Sequence, residues 1–346
     1  MTRKGKLLLV LAVCLVSAAL ACYPLKWNFF PPQGESMDTG NWKTHCVGRF
    51  LIDLPPAIAI EENRTGHIWD EKLVWREDLT PETARQEALA EIDKWRATEN
   101  KYSKEKMFIE SWELPNHGIA IIRWEETTSH VFYASQCYFI SNDARQRVFT
   151  FTAPFSPSSI ESRKNRILSF ASGLRARDEG ESFPGEEGFC FYGGFLASPD
   201  RGEWWGSERA GIVVEFSEYP AITMPFSLWA NGIDGPTLLD DYDLQYTGIM
   251  LTHGVRVLRR GPVPLGPLKA EEVLLTWKGE RGKILYNFML RVPSEKHRRD
   301  RPEVTLRFTS VDYQYDRREP FASEAQALGL WDAISRSIRP RVPSGK

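Results

Sequence analysis

Between Leu7 and Cys22 the chain runs without a single charge, directly after the basic residues Arg3, Lys4 and Lys6. A basic start followed by a short apolar run is the pattern of an export signal. This feature constrains the chain most, because everything after it is then expected to fold outside the reducing cytoplasm. The run is marginal for a hydrocarbon core of about 30 Å, which takes about 20 residues. Three fates stay open: cleavage behind Ala19-Leu20-Ala21, lipidation of Cys22 after an imperfect lipobox, and retention as an anchor. The expected location is periplasmic, with the body tethered to the inner or outer membrane through this segment.

Residues 1–22 therefore form a signal or anchor. Residues 23–40 follow with Pro31, Pro32, Gly34 and Ser36 and no apolar period, which reads as a tether. The body beyond it holds three cysteines, Cys46, Cys137 and Cys190. In an oxidising compartment one pair is free to close and one thiol is left over; spacing does not choose among the three pairings.

An apolar content of 42% supplies a sizeable core, and 25 Gly with 22 Pro break the chain into short elements. A net charge of -2 gives no basic face for phosphate, so no nucleic-acid partner is expected. The run from Leu174 to Gly188, dense in charge, Gly and Pro, divides the body into units at 41–178 and 188–342.

In the first unit, strands are expected at Phe50–Leu54 and Ala57–Ile60. Thr80 and Pro81 then open a helix with Ala84, Ala88, Ile92 and Trp95 on one face. An antiparallel meander follows through 107–114, 119–124, 131–140 and 147–153, and a closing helix begins near Pro157. The second unit offers strands at 189–196, 210–216, 248–256, 268–278, 284–292 and 303–313, then a helix over 323–338. Gly261–Leu268, with its three prolines, reads as an irregular connection or a partner-facing edge. Cys46-Val47-Gly48-Arg49-Phe50-Leu51 answers Cys190 through Leu196 with one insertion, and Leu174-Arg175-Ala176-Arg177 answers Ile338-Arg339-Pro340-Arg341. The expected fold class is α+β: two tandem modules, each a mainly antiparallel sheet with packed helices, with signs of duplication.

No catalytic set emerges. A nucleophile elbow needs G-x-S-x-G, a zincin needs H-E-x-x-H, and neither run occurs. Gly279–Lys283 lacks the spacing and hydroxyl of a phosphate loop and reads as a strand turn. Asp240, Asp241 and Asp243 lack the glycine that a calcium loop needs, which leaves an acidic loop able to meet a basic partner. His45 and Cys46 are neighbours in a strand and point to opposite faces, so they do not form a nucleophile and base. No metal or cofactor is expected. Trp204 and Trp205 stand in a hydrophilic stretch, where exposed aromatics serve as interface anchors.

The opening Thr44-His45-Cys46-Val47-Gly48-Arg49-Phe50-Leu51-Ile52-Asp53-Leu54-Pro55, the second opening at Gly188-Phe189-Cys190 through Gly194-Phe195, and the exported two-module layout resemble the cognate immunity proteins of class 4 type VI secretion phospholipase effectors. The resemblance covers about residues 41–342. It implies two α+β domains arranged like a claw that grips a lipase delivered by another cell, with no reaction of its own. It supplies no motif at the binding surface, so the partner-binding candidates remain Trp204, Trp205, Asp240, Asp241 and Asp243. The competing readings are a periplasmic hydrolase with an unrecognised site and a structural envelope lipoprotein.

Overall fold

The computed structural model describes residues 31–62, 65–68, 71–126, 131–178, 181, 186–197, 208–230, 234, 237–241, 254–279, 282–296, 301–310 and 319–341. Cys22, Trp204, Trp205, Asp243 and most of the strand expected at 248–256 lie outside them.

A hairpin opens the body: β1 (Lys43–Val47) and β2 (Phe50–Leu54) are joined by the two-residue turn Gly48-Arg49. The turn needs a left-handed residue, and Gly48 provides it at φ +54°. β3 (Ile58–Glu62), β4 (Thr65–Ile68) and β5 (Glu71–Trp75) lead into helix α1 (Pro81–Ala97). The helix starts where expected: the Thr80 hydroxyl accepts from the Thr83 amide, Pro81 occupies the first turn, and Ala84, Ala88 and Ile92 are buried. The expected meander follows as β6 (Phe108–Glu113), β7 (Ile119–Trp124), β8 (Tyr133–Ile140) and β9 (Val148–Phe155), each antiparallel to the next. One sheet face carries Ile119, Ile121, Tyr138 and Val148 against α1. The other carries Phe139 and Phe151 against Phe170 of α2 (Ile160–Gly173). Strand β10 (Leu174–Ala176) ends the first half.

The second half follows the same plan. A hairpin of β11 (Gly188–Phe191) and β12 (Gly194–Ala197) turns at Tyr192-Gly193. Then come β13 (Glu208–Phe216), β14 (Ile222–Ala230), β15 (Arg256–Leu265), β16 (Leu268–Lys278), β17 (Ile284–Val292) and β18 (Glu303–Ser310). Helix α3 (Glu324–Ser337), capped by the Ser323 hydroxyl, sets the fully buried Trp331 against Phe288 and Phe308. Strand β19 (Arg339–Pro340) closes the chain.

Three sequence expectations are corrected. Strand β14 was not foreseen because Pro225 interrupts it; that proline keeps its pairing with Val213 of β13, while the ladder to β18 is broken between Thr223 and Phe226 without a shift of register. Gly261–Leu268 is no irregular connection: Val263 pairs with Ala270 and Leu265 with Leu268, making β15 an edge strand among the described residues. The two openings align with no insertion, Val47 opposite Phe50 matching Phe191 opposite Gly194.

The large sheet runs β15-β16-β17-β18-β14-β13-β4-β5-β9-β8-β7-β6, with β3 also on β13. This order reads alike from both ends: each half contributes a four-stranded meander whose last strand faces a strand at the centre. The halves therefore share one sheet, and β13 joins them by pairing with β3 and β4. The run read as an interdomain linker begins with β10 and the buried Arg177, so the connection is partly built into the body. The expected tether is likewise packed in part: the Glu35 amide donates to Ala325 O, and Gly34 lies against the backbone of Leu328 and Gly329 in α3.

The two opening hairpins are exchanged. β2, from the first half, pairs with β19 and packs on α3, both from the second half. β12, from the second half, pairs with β10 and packs on α2 from the first. The matching extends to single bonds, since the Arg341 amide donates to Arg49 O at 2.8 Å and the Arg177 amide to Gly193 O at 2.9 Å.

Candidate partner-binding site

The residues that carry the family resemblance meet at the centre of this exchange. Cys46 is bonded to Cys190, with Cα atoms 5.9 Å apart. The bond lies under Phe195, Leu51 and Ala197. Among the described residues Cys137 is the free thiol, and complete burial pushes its pKa well up, so it is an inert core residue. Cys46 thus has no thiol to offer His45, in agreement with the rejection of that pair as a catalytic dyad.

Beside the disulfide, Gly48 and Cys190 exchange backbone hydrogen bonds of 2.9 Å. Arg49 reaches across to Glu208 at the start of β13. Asp53 accepts from Thr44 at 2.6 Å and pairs with Arg339 at 2.9 Å. The other hairpin mirrors this docking. Tyr192 donates to Glu77 at 2.6 Å, and Gly193 presses on the Trp75 ring so closely that a Cβ there would sit 2.3 Å from it. Arg147 stacks over that tryptophan at 4.2 Å and donates to Gly193 O at 3.0 Å. The Cys-x-Gly-Arg-x-x-x-Asp opening is therefore a device for joining the halves and holds no reactive group.

Of the predicted partner-binding residues, two are described. Asp240 is exposed at the end of the helical residues 238–241. This turn is seated on the outer face of β16, with Leu238 buried against Val273 and Leu275, and the Leu239 amide donates to Glu271 at 2.9 Å. Asp241 pairs with Arg291 of β17, so part of its charge is already answered within the chain. Trp204, Trp205 and Asp243 lie outside the described residues.

Other large apolar groups are exposed outside those candidates, among them Tyr102, Val131, Phe132 and Trp229. Tyr102 is 68% exposed on a loop held by Asn100, whose carbonyl side-chain oxygen accepts from the amides of Tyr102 and Ser103. Val131 and Phe132 are also exposed, at the same end of the first half, where Trp124 bonds Met107 and Glu125 bonds Phe132. Trp229 on β14 stands outward with Arg209 across from it. Tyr102 could have been found by the logic applied to Trp204, since it is an aromatic within Lys101-Tyr102-Ser103-Lys104-Glu105-Lys106. Trp229 could not, because its outward side depends on the register of β14. Among the described residues no group of three or more His, Cys, Asp or Glu is arranged to hold a metal.

Comparison with known proteins gives this geometry its context. Family models for the C-terminal and N-terminal domains of Tle cognate immunity protein 4 match residues 182–343 and 43–177. Among solved structures, the apo immunity protein TplEi of the T6SS from Pseudomonas aeruginosa is 29% identical with a TM-score of 0.79, over 90% of this chain and 100% of that one. A crystal structure of a Tle4-Tli4 complex matches at 28% identity and TM-score 0.77, over 89% and 100%. TplEi from Pseudomonas aeruginosa complexed with an "L" peptide matches at 28% and 0.73, over 88% and 99%. No curated protein matches this chain. Two α+β halves with this likeness define an immunity protein of type VI secretion. The chain belongs to the Tle cognate immunity protein 4 family.

Proposed function

We propose that this chain protects its producer by binding a cognate type VI lipase effector and blocking it by occupancy, without a reaction of its own. The observation that carries the reading is the tandem match of both family domains on a body whose halves are joined through one sheet and one disulfide. A related chain of nearly the same length was crystallised as a Tle4-Tli4 complex. Inhibition of this kind needs area and complementarity, about 1,600 Å² for a standard interface, with a few aromatic anchors dominating. Tyr102, Phe132 and Trp229 are anchors of that type, and Asp240 is the acidic group free to steer a basic partner.

The proposed site of action is the periplasm, with the body held to a membrane through the N-terminal segment. The packing of Gly34 on α3 makes such a leash short. From Cys22 to Gly34 a fully extended chain spans about 40 Å at most, at roughly 3.5 Å per residue.

Co-expression with a neighbouring lipase-type effector tests the reading: growth is rescued, and the two proteins co-purify. Ester turnover by the purified chain alone would favour the hydrolase instead. Rescue without any complex would exclude inhibition by occupancy.

A further inference from the structure

We propose that the Cys46–Cys190 bond is a latch set once, after export, and that without it the exchanged hairpins do not stay docked. The inference rests on the reading of an exported chain, and its readout needs no effector, so the two can fail separately.

Cys46 and Cys190 hold the same place in the two hairpins, each one residue before the last strand position ahead of a two-residue turn. Both hairpins reach their docking sites only by crossing to the other half. The contacts they make there are remote in sequence: 159 positions for Arg49 and Glu208, 286 for Asp53 and Arg339. Contacts of that separation carry the largest loop-closure cost and gain the most from a cross-link that closes a loop of 144 positions. By contrast, β6 to β9 and β15 to β18 are local meanders that need no such help.

Burial then decides what kind of latch this is. Cys46 is 1% and Cys190 0% exposed, so no thiolate reaches either sulfur while the hairpins are docked. The bond is thus made during folding and is not cycled afterwards. Formation is a thiol–disulfide exchange: the two thiols lose two protons and two electrons, the new S–S bond forms, and a small-molecule or protein disulfide is reduced to two thiols. A chain still in the cytosol has no such oxidant in excess and carries its hairpins unlatched.

The test is refolding of the purified full chain from denaturant and reductant, either into excess reductant or into oxidised and reduced glutathione, followed by hydrogen exchange. In the reduced chain, amides of β1, β2, β11 and β12 exchange about a thousandfold faster than in the oxidised chain. Later addition of oxidised glutathione restores protection, and reductant added to the oxidised native protein does not remove it. The Cys46→Ala/Cys190→Ala variant behaves as the reduced chain in both buffers, and Cys137→Ala as the parent. Loss confined to the hairpins, or loss throughout the chain that oxidant reverses, supports the latch. Hairpin protection in the reduced chain within threefold of the oxidised one overturns it, as does rapid reduction of the native bond.

Discussion

Arg49 and Glu208, 159 positions apart, form a two-pronged ion pair, with Arg49 Nε and Nη2 each donating to a carboxylate oxygen at 2.7 Å. The pair ties the turn of the first hairpin to the opening of β13, the strand that carries the sheet from one half to the other. The Glu208 side chain is only 4% exposed, so its charge is tolerable because this partner is in place.

Removing the arginine alone should therefore be costly. Arg49→Met leaves a buried carboxylate without its main partner, and a loss of about 3–5 kcal/mol is expected in denaturant unfolding. Changing both members to methionine removes the stranded charge as well and should recover much of that loss. A double-mutant cycle measures the coupling, and a double variant as unstable as the sum of the single ones would contradict a paired role.

At Gly329 two effects oppose each other. Alanine is the better helix residue by about 1 kcal/mol, yet a Cβ there would meet Glu35 O at 2.5 Å. The atom it would meet is backbone and has no flexible end to move. Gly329→Ala should keep α3 intact but lift residues 31–42 from it. Limited proteolysis should then cut that segment at least tenfold faster, with the helical circular dichroism unchanged.

Pro262 and Pro264 stand on the edge strand β15, opposite Glu271 and Lys269. Alternate positions on a strand point their amides to the same side, and the missing amides fall on the open side of the sheet. Thr replacements at both sites would restore two donors to an edge that no strand of the described residues pairs with. Concentration-dependent self-association is expected by light scattering, with the parent chain monodisperse under the same conditions.

Acid should loosen the junction through Asp53. Burial works to raise its pKa, but hydrogen bonds from Arg339 and Thr44 and the nearby positive charge outweigh it and leave it below the ordinary 3.8. A carboxylate depressed in the folded state stabilises above the unfolded pKa and loses that contribution as pH falls through the folded one. Asp53→Asn should cost at most about 1 kcal/mol at pH 7, given the partial exposure of the pair. The difference from the parent should shrink as pH falls below 3.8 and vanish once Asp53 is protonated in the folded chain, and a gap that persists in the fully protonated protein would argue for a role other than charge.

Much of the fold was legible in local pattern. Thr80 with Pro81 marked the start of α1, the turn at Pro115–Gly118 separated β6 from β7, and the Gly279 amide donates to Lys283 O between β16 and β17, where a strand turn was expected. The short repeat of Leu174–Arg177 in Ile338–Arg341 pointed to the duplication that the palindromic sheet displays. Strands β4 and β5 escaped because they are short and flanked by charge, and their place depends on pairing with β13 and β9.

By itself, the sequence determined the elements whose causes lie within a few residues: caps, turns, apolar alternation, and the family opening around Cys46. Only the tertiary structure decided that Cys46 takes Cys190 and leaves Cys137 free, that Asp241 is answered by Arg291 while Asp240 is exposed, and that the opening hairpins change places. Those outcomes depend on which distant groups arrive within a few ångströms of each other. That is set by the register and packing of the whole sheet, which no local window contains.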